Sequence, residues 1–203
     1  ADAVAVGVAP ATLVRVWNGR GSIVVRALIT PDQQRGSVFV SLHWTDQLSS
    51  RARVDVLVTP VTDPVSGQPE LKFTPVAIEP YPAKWYGFAA VASKPSAIAA
   101  GYWALALARD GWRLELADEA APEDWSAFAR NLFGIGNEEE DVEFLAYHDA
   151  GAGQHRIAAF KKAPLLGVLF VGAGPVAVSR SWGAGQLGMN FASSAARLRL
   201  LAG

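Results

Sequence analysis

The sequence predicts a β-rich chain of two domains: an all-β barrel or sandwich over residues 1–81, then a small α+β domain over residues 82–203 whose sheet is mainly antiparallel. Three observations carry that expectation. The first block holds short β-branched runs punctuated by Asn-Gly, Pro-Asp and proline-rich turns. After Tyr81-Pro82 the composition shifts to alanine and tryptophan. Beyond that point alternating runs are joined by hairpin turns and interrupted by one capped amphipathic segment.

In the first block, Leu13–Trp17 alternates and stops at Asn18-Gly19-Arg20-Gly21, a turn signal. Ser22–Thr30 is a second strand candidate, closed by Pro31-Asp32, and Gly36–Trp44 a third. Val54–Val58 reads as a shorter strand and Thr74–Ile78 as the last. Between these two, Thr59–Pro69 holds too many prolines to sit inside a sheet. In the second block Trp85–Ala92 is a strand. Tyr102–Ala108 and Trp112–Leu116 flank a hairpin signal, Asp110-Gly111. Pro122-Glu123-Asp124-Trp125 opens a helix with proline and acids in its first turn; Phe128, Leu132 and Phe133 form its apolar stripe, and Gly134 stops it. Val142–Tyr147 and His155–Phe160 flank the turn Asp149–Gly153, and Leu165–Gly172 reads as a buried strand. A short helix is expected from Ser179, and Ala195–Leu201 reads as helix or linker.

Composition narrows the function classes. Apolar residues are 51% and charged residues 18%, enough for a filled core. A net charge of -1 leaves no basic surplus for a phosphate backbone, so no nucleic-acid partner is expected. The absence of cysteine excludes disulfides, thiolate zinc sites and an iron–sulfur cluster held by this chain, and it fits a reducing cytoplasm. His43, His148 and His155 show no metal-ligand spacing in sequence. The longest nearly uncharged run, Ala163–Ser179, is broken by prolines and glycines, so no membrane helix is expected. The Ala1-Asp2-Ala3 opening suggests a piece of a larger cytoplasmic protein.

Three motifs carry a resemblance: Arg20-Gly21-Ser22, Gly36-Ser37-Val38-Phe39, and the run Asp63–Lys72, with its Asp-Pro, a serine two positions beyond the proline, then Pro-Glu and a lysine. Together they resemble the molybdopterin-dinucleotide-binding domain that closes the large subunits of the dimethyl-sulfoxide-reductase family. Within that family, His43-Trp44-Thr45-Asp46-Gln47, Trp85-Tyr86-Gly87-Phe88 and Pro175–Arg180 look most like bacterial assimilatory nitrate reductases. The resemblance covers essentially the whole chain, more strongly over the first block. It implies a double-psi β-barrel up to Tyr81 that binds molybdopterin guanine dinucleotide. It also implies a parent that reduces nitrate to nitrite, with the molybdenum and iron–sulfur clusters in domains outside this chain. The partners implied are upstream catalytic domains, a downstream iron–sulfur domain, and a ferredoxin, flavodoxin or NADH-linked electron donor. On that reading the chain alone is not catalytic. It folds empty of cofactor.

The resemblance points to six cofactor-binding candidates: Arg20, His43, Trp44, Asp55, Ser66 and Lys72. Lys72 would act as cation and donor after a loop braced by Asp63-Pro64 and Gln68-Pro69, which limits the entropy lost on clamping a ligand. Trp44 is either a wall for the pterin or core, and His43 either a pterin contact or hydrogen-bonded within its loop. Asp55 stands where many relatives have asparagine. As a carboxylate it accepts from an amino group of the pterin or guanine, or it pairs with Arg51 or Arg53. Arg20 lies near the cofactor or simply shapes the turn with Asn18. No residue is a candidate for redox chemistry, which the metal and its cofactor would supply.

Other signals are weaker. Gly183–Gly188 matches a dinucleotide fingerprint as a pattern, but no acid follows it. The acids at 118–124 and 138–141 fit helix starts and surface loops. Two alternatives stay open: the same domain from a formate dehydrogenase or other molybdopterin oxidoreductase, and a stand-alone interaction module using Trp103, Trp112, Trp125 and Trp182.

Overall fold

A computed structural model describes residues 2–70, 73–136 and 139–203. The chain is β-rich, with two antiparallel sheets and few helices. It divides into two compact units, Ala1–Pro82 and Ala83–Gly203.

The first unit opens with a short helix, α1 (Asp2–Ala5), and is built on three strands, β1 (Leu13–Trp17), β2 (Ser22–Arg26) and β3 (Ala77–Pro80). They hydrogen-bond in the order β2-β1-β3, all antiparallel. Alternation in β1 sends Leu13 and, two residues apart, Val14 and Val16 into burial, while Arg15 and Trp17 stay exposed. Val14, Val16, Ile23 and Leu57 form one small buried cluster in this unit, and Leu13, Val24, Ala52 and Tyr81 are buried as well. A closed barrel is not seen among the described residues: β2 and β3 are the outer strands of an open sheet.

Several sequence expectations need correction here. Gly36–Trp44 is not a strand; Gly36 sits at φ +72° in a turn, and Phe39 is 82% exposed. Its β-branched run has no described strand to pair with, and propensity without a partner does not make a strand. Val54–Leu57 is one turn of 3-10 helix, which buries Leu57 and leaves Val54, three residues earlier, partly packed on the same core. The second strand ends at Arg26 instead of Thr30, and the last begins at Ala77 instead of Thr74.

The second unit is a six-stranded antiparallel sheet ordered β5-β6-β4-β9-β8-β7. Its strands are β4 (Trp85–Val91), β5 (Tyr102–Ala108), β6 (Gly111–Asp118), β7 (Val142–Asp149), β8 (Gln154–Lys161) and β9 (Leu165–Gly172). Central β4 is buried at every position, because both of its faces are covered. Trp85, Ala89 and Val91 face one core, while Phe88 and Ala90 face the other. The β5–β6 turn is Arg109-Asp110, one residue earlier than the Asp110-Gly111 signal suggests. Gly111 is needed for a different reason: a Cβ there would lie 2.3 Å from the Val91 carbonyl oxygen.

Helix α2 (Trp125–Leu132) covers the first core with Phe128, Ala129 and Leu132. Asp124 caps its start, its carboxylate accepting from Ser126 N at 2.7 Å and Ala127 N at 3.1 Å. Gly134, at φ +70°, ends it; Gly134 N donates to Asn131 O and Ile135 N to Arg130 O, the paired bonds of a Schellman stop. Helices α3 (Arg180–Gly185) and α4 (Ser194–Ala202) bring Trp182, Leu200 and Leu201 to the second core. Arg180 is committed internally: it forks onto Glu115 at 2.6 and 2.9 Å, donates to the Val176 and Val178 carbonyls, and lies over the Phe88 ring. Among the described residues no helix is long and apolar enough to cross a membrane.

Candidate cofactor-binding site

The turn Asn18–Gly21 joins β1 to β2 and carries Arg20. Asn18 holds it together: its side-chain oxygen accepts from Arg20 N at 2.9 Å and Gly21 N at 3.3 Å. Its amide nitrogen donates to the Leu57 carbonyl at 2.8 Å. Gly21 packs so closely that an added Cβ would lie 3.1 Å from the Val56 carbonyl oxygen. The turn is therefore seated on the 3-10 helix that bears Asp55. Arg20 itself is exposed and makes no ion pair among the described residues.

Asp55 pairs with Arg53, Oδ1 to Nε at 3.1 Å, and the same guanidinium reaches Asp46 Oδ2 at 3.0 Å. Arg53 thus ties the segment 43–47 to the helix below the Arg20 turn. His43 is exposed, with its backbone N–H directed at Ser41 Oγ at 3.4 Å, and Trp44 is half-buried. Trp44 is not among the side chains packed on the Val14–Leu57 core. Next to this segment, Leu48 and Ser49 N–H groups close a turn onto the Thr45 carbonyl. Ser49 Oγ is fully buried with no hydrogen-bond partner among the described residues. Sequence reasoning missed Ser49, because nothing in its local pattern marks a buried hydroxyl.

Ser66 lies in a separate loop. Asp63 Oδ1 accepts from Val65 N at 3.0 Å, Ser66 N at 2.7 Å and Ser66 Oγ at 2.9 Å, and these bonds hold its carboxyl below the usual aspartate range. Gln68 N points at Ser66 Oγ, Gly67 N donates to Asp63 O, and a bridge pairs Thr62 with Pro69. Gly67 takes φ +69°, the left-handed region glycine tolerates. The loop is a small, internally braced clasp beside a groove lined by Val61, Asp63, Ser66 and Glu70. Ser66 shares no hydrogen bond or ion pair with the Arg20–Asp55 group among the described residues. Lys72 lies outside the described residues.

This arrangement offers a cation, carboxylate acceptors, an aromatic side chain and an unsatisfied buried hydroxyl. That chemistry suits a polar heterocycle with an anionic tail. Residues 1–75 match the family model of the molydopterin dinucleotide binding domain. The chain is also similar to a nitrate reductase of Klebsiella oxytoca, 36% identical over 113 residues, which is 56% of this chain. The matched stretch is 13% of that relative's length. No solved structure matches the chain. The matched residues include Arg20, His43, Trp44, Asp55, Ser66 and Lys72, and the Trp85–Gly203 region lies outside them.

Proposed function

We propose that this chain is the carboxy-terminal part of a molybdenum-dependent assimilatory nitrate reductase, and that its first unit holds molybdopterin guanine dinucleotide. The match of residues 1–75 to the dinucleotide-binding domain carries this reading, and the similarity to a nitrate reductase points to the substrate. The residues present fit the group. Ser49 Oγ is a buried polar atom awaiting a partner, and Arg20 offers a cation unclaimed by any described carboxylate. Arg20 and Lys72 would meet pyrophosphate oxygens, Asp55 the amino group of a ring, and Trp44 and His43 a pterin face or edge. Ser66 would serve through the braced loop it completes, its hydroxyl already donated to Asp63.

When bound, the cofactor would supply the metal that takes an oxygen atom from nitrate, with two electrons coming from the donor outside this chain. The chain's own residues bind, orient and exclude water; none is proposed as a redox group, and the chain alone is not expected to turn over. The double-psi barrel is part of the same proposal. Val24 N of β2 already donates to the Arg51 carbonyl at 2.8 Å, and parts of segments 27–53 and 58–70 would extend such pairing beside β2 and β3 once the cofactor and the rest of the protein are present. Exposed Leu28, Phe39, Val65 and Phe73 support this, since such side chains ordinarily seek cover. Upstream catalytic domains, a downstream iron–sulfur domain, a ferredoxin, flavodoxin or NADH-linked donor, and a cytoplasmic setting complete the reading.

The test is made on the full-length parent. It should contain molybdenum and reduce nitrate to nitrite, and Lys72→Ala should lower its pterin-dinucleotide content. Metal analysis showing neither molybdenum nor tungsten would end the proposal. Activity on formate instead of nitrate would keep the cofactor and replace the substrate.

A further inference from the structure

The β7–β8 hairpin, whose residues lie beyond the matched cofactor-binding domain, brings two of the chain's three histidines together. His148 and His155 are directly opposed across the strands, with Nδ1 to Nδ1 at 3.0 Å. They are placed firmly. The turn just beyond them is closed by Asp149 Oδ1 accepting from Ala152 N at 2.9 Å, with Gly153 at φ +62°. The His155 ring stacks on Trp125 of α2, centroids 4.8 Å apart and planes 24° apart. On its other side β8 pairs with β9, His155 opposite Val171. His148 is exposed and His155 half-buried, so the pair is reachable from solvent.

We propose that this hairpin carries a two-imidazole clamp for one divalent transition-metal ion of the copper or nickel type, held by Nδ1 of His148 and Nδ1 of His155. The spacing argues for it. Two nitrogens at about 2.0–2.1 Å from one ion stand about 2.8–3.0 Å apart at a right angle and about 3.3–3.4 Å apart at a tetrahedral one. The observed 3.0 Å matches the right-angle case. Right-angle nitrogen pairs belong to tetragonal ions, copper(II) and nickel(II), more than to zinc. Among the described residues no third His, Cys, Asp or Glu joins the pair, so water fills the remaining positions.

Proton balance is simple. Without metal, one ring donates its Nδ1–H to the other's Nδ1. With metal, both rings carry their proton on Nε2 and turn both Nδ1 lone pairs to the ion. No net proton is released, and only one ring changes tautomer.

The experiment titrates the intact chain with copper(II) chloride, followed by tryptophan fluorescence and electron paramagnetic resonance. One ion per chain should bind with coupling to two nitrogens, quench part of the fluorescence and be reversed by a chelator. His148→Ala, an exposed position that leaves the Trp125 stack intact, should abolish the paired-nitrogen signal, as should His155→Asn. Trp125→Phe should keep the bound ion and lose most of the quenching. His43→Ala should leave the copper stoichiometry and the paired-nitrogen signal as they are. Paired-nitrogen binding that survives His148→Ala, or a titration in which the pair holds only its shared proton and no ion, overturns the proposal.

Discussion

Asp63 organises its loop with one carboxylate oxygen that receives three hydrogen bonds, from Val65 N, Ser66 N and Ser66 Oγ. Its lowered pKa has a sign that can be followed. The folded loop favours the ionised form, so its contribution to loop order is complete above the ordinary aspartate range and is lost as pH falls through the depressed value. Acid titration by NMR should therefore show the Val65 and Ser66 amide shifts collapsing together below the usual aspartate pKa, and Asp63→Asn should blunt that transition. If both amides hold their shifts down to pH 2, roughly two units below an ordinary aspartate, the carboxylate is not what braces the loop. Asp55 poses a different case. Its pair with Arg53 is exposed on both sides, so Asp55→Asn should alter stability by less than about 1 kcal/mol. If Asp55 serves the cofactor, the same change in the parent should alter pterin retention while thermal unfolding of the chain stays put. Such divergence separates binding from folding.

At the scale of elements, the second unit followed its sequence signals closely. Helix α2 forms over the expected apolar stripe and Gly134 stops it, but its first turn holds neither proline nor acid: Asp124 is the cap, and Pro122 and Glu123 precede it. Asp124→Ala should destabilise the second unit by about 1 kcal/mol, read as a shifted urea midpoint. Gly167→Ala should do more, about 1–3 kcal/mol, because the new Cβ would meet the Phe133 ring at 2.5 Å. An unchanged midpoint for Gly167→Ala would mean that α2 can lift off β9 freely. Strand signals in the first unit were less reliable. Gly36–Trp44 and Val54–Val58 have the composition of strands, yet one forms turns and the other a helical turn. Strand composition reports only that a pleated, half-buried surface would suit the residues. Whether such a surface exists depends on a partner strand that can lie far away in sequence.

Across the whole molecule the two units differ in how well they satisfy themselves. Of the fifteen exposed large apolar side chains among the described residues, eleven lie in the first unit. The second unit has two cores, one on each face of its sheet. Amide exchange should therefore be slowest in β4, β6, β8 and β9 and fast through residues 28–48. Equal protection in both regions would contradict this division. If the proposed cofactor binds the first unit in the parent, that unit should gain the missing protection.

The candidate site was partly legible. Asn18, Arg20 and Asp55 were readable as a turn and a polar position, and the structure seats them against one another through Gly21 and Val56. The bridging of Asp46 and Asp55 by one Arg53, and the orphaned Ser49 hydroxyl, had no local signature. What the amino-acid order determined unaided was the antiparallel second unit, its hairpins and its glycine-stopped helix. These are short-range properties, set by side-chain periodicity and by turn and cap chemistry within a few residues. Tertiary structure alone decided which β-prone segments found a partner, which polar atoms were left buried, and that His148 and His155 stand nitrogen to nitrogen. Each of those depends on long-range packing, where the free energy of a residue is settled by neighbours it does not meet along the chain.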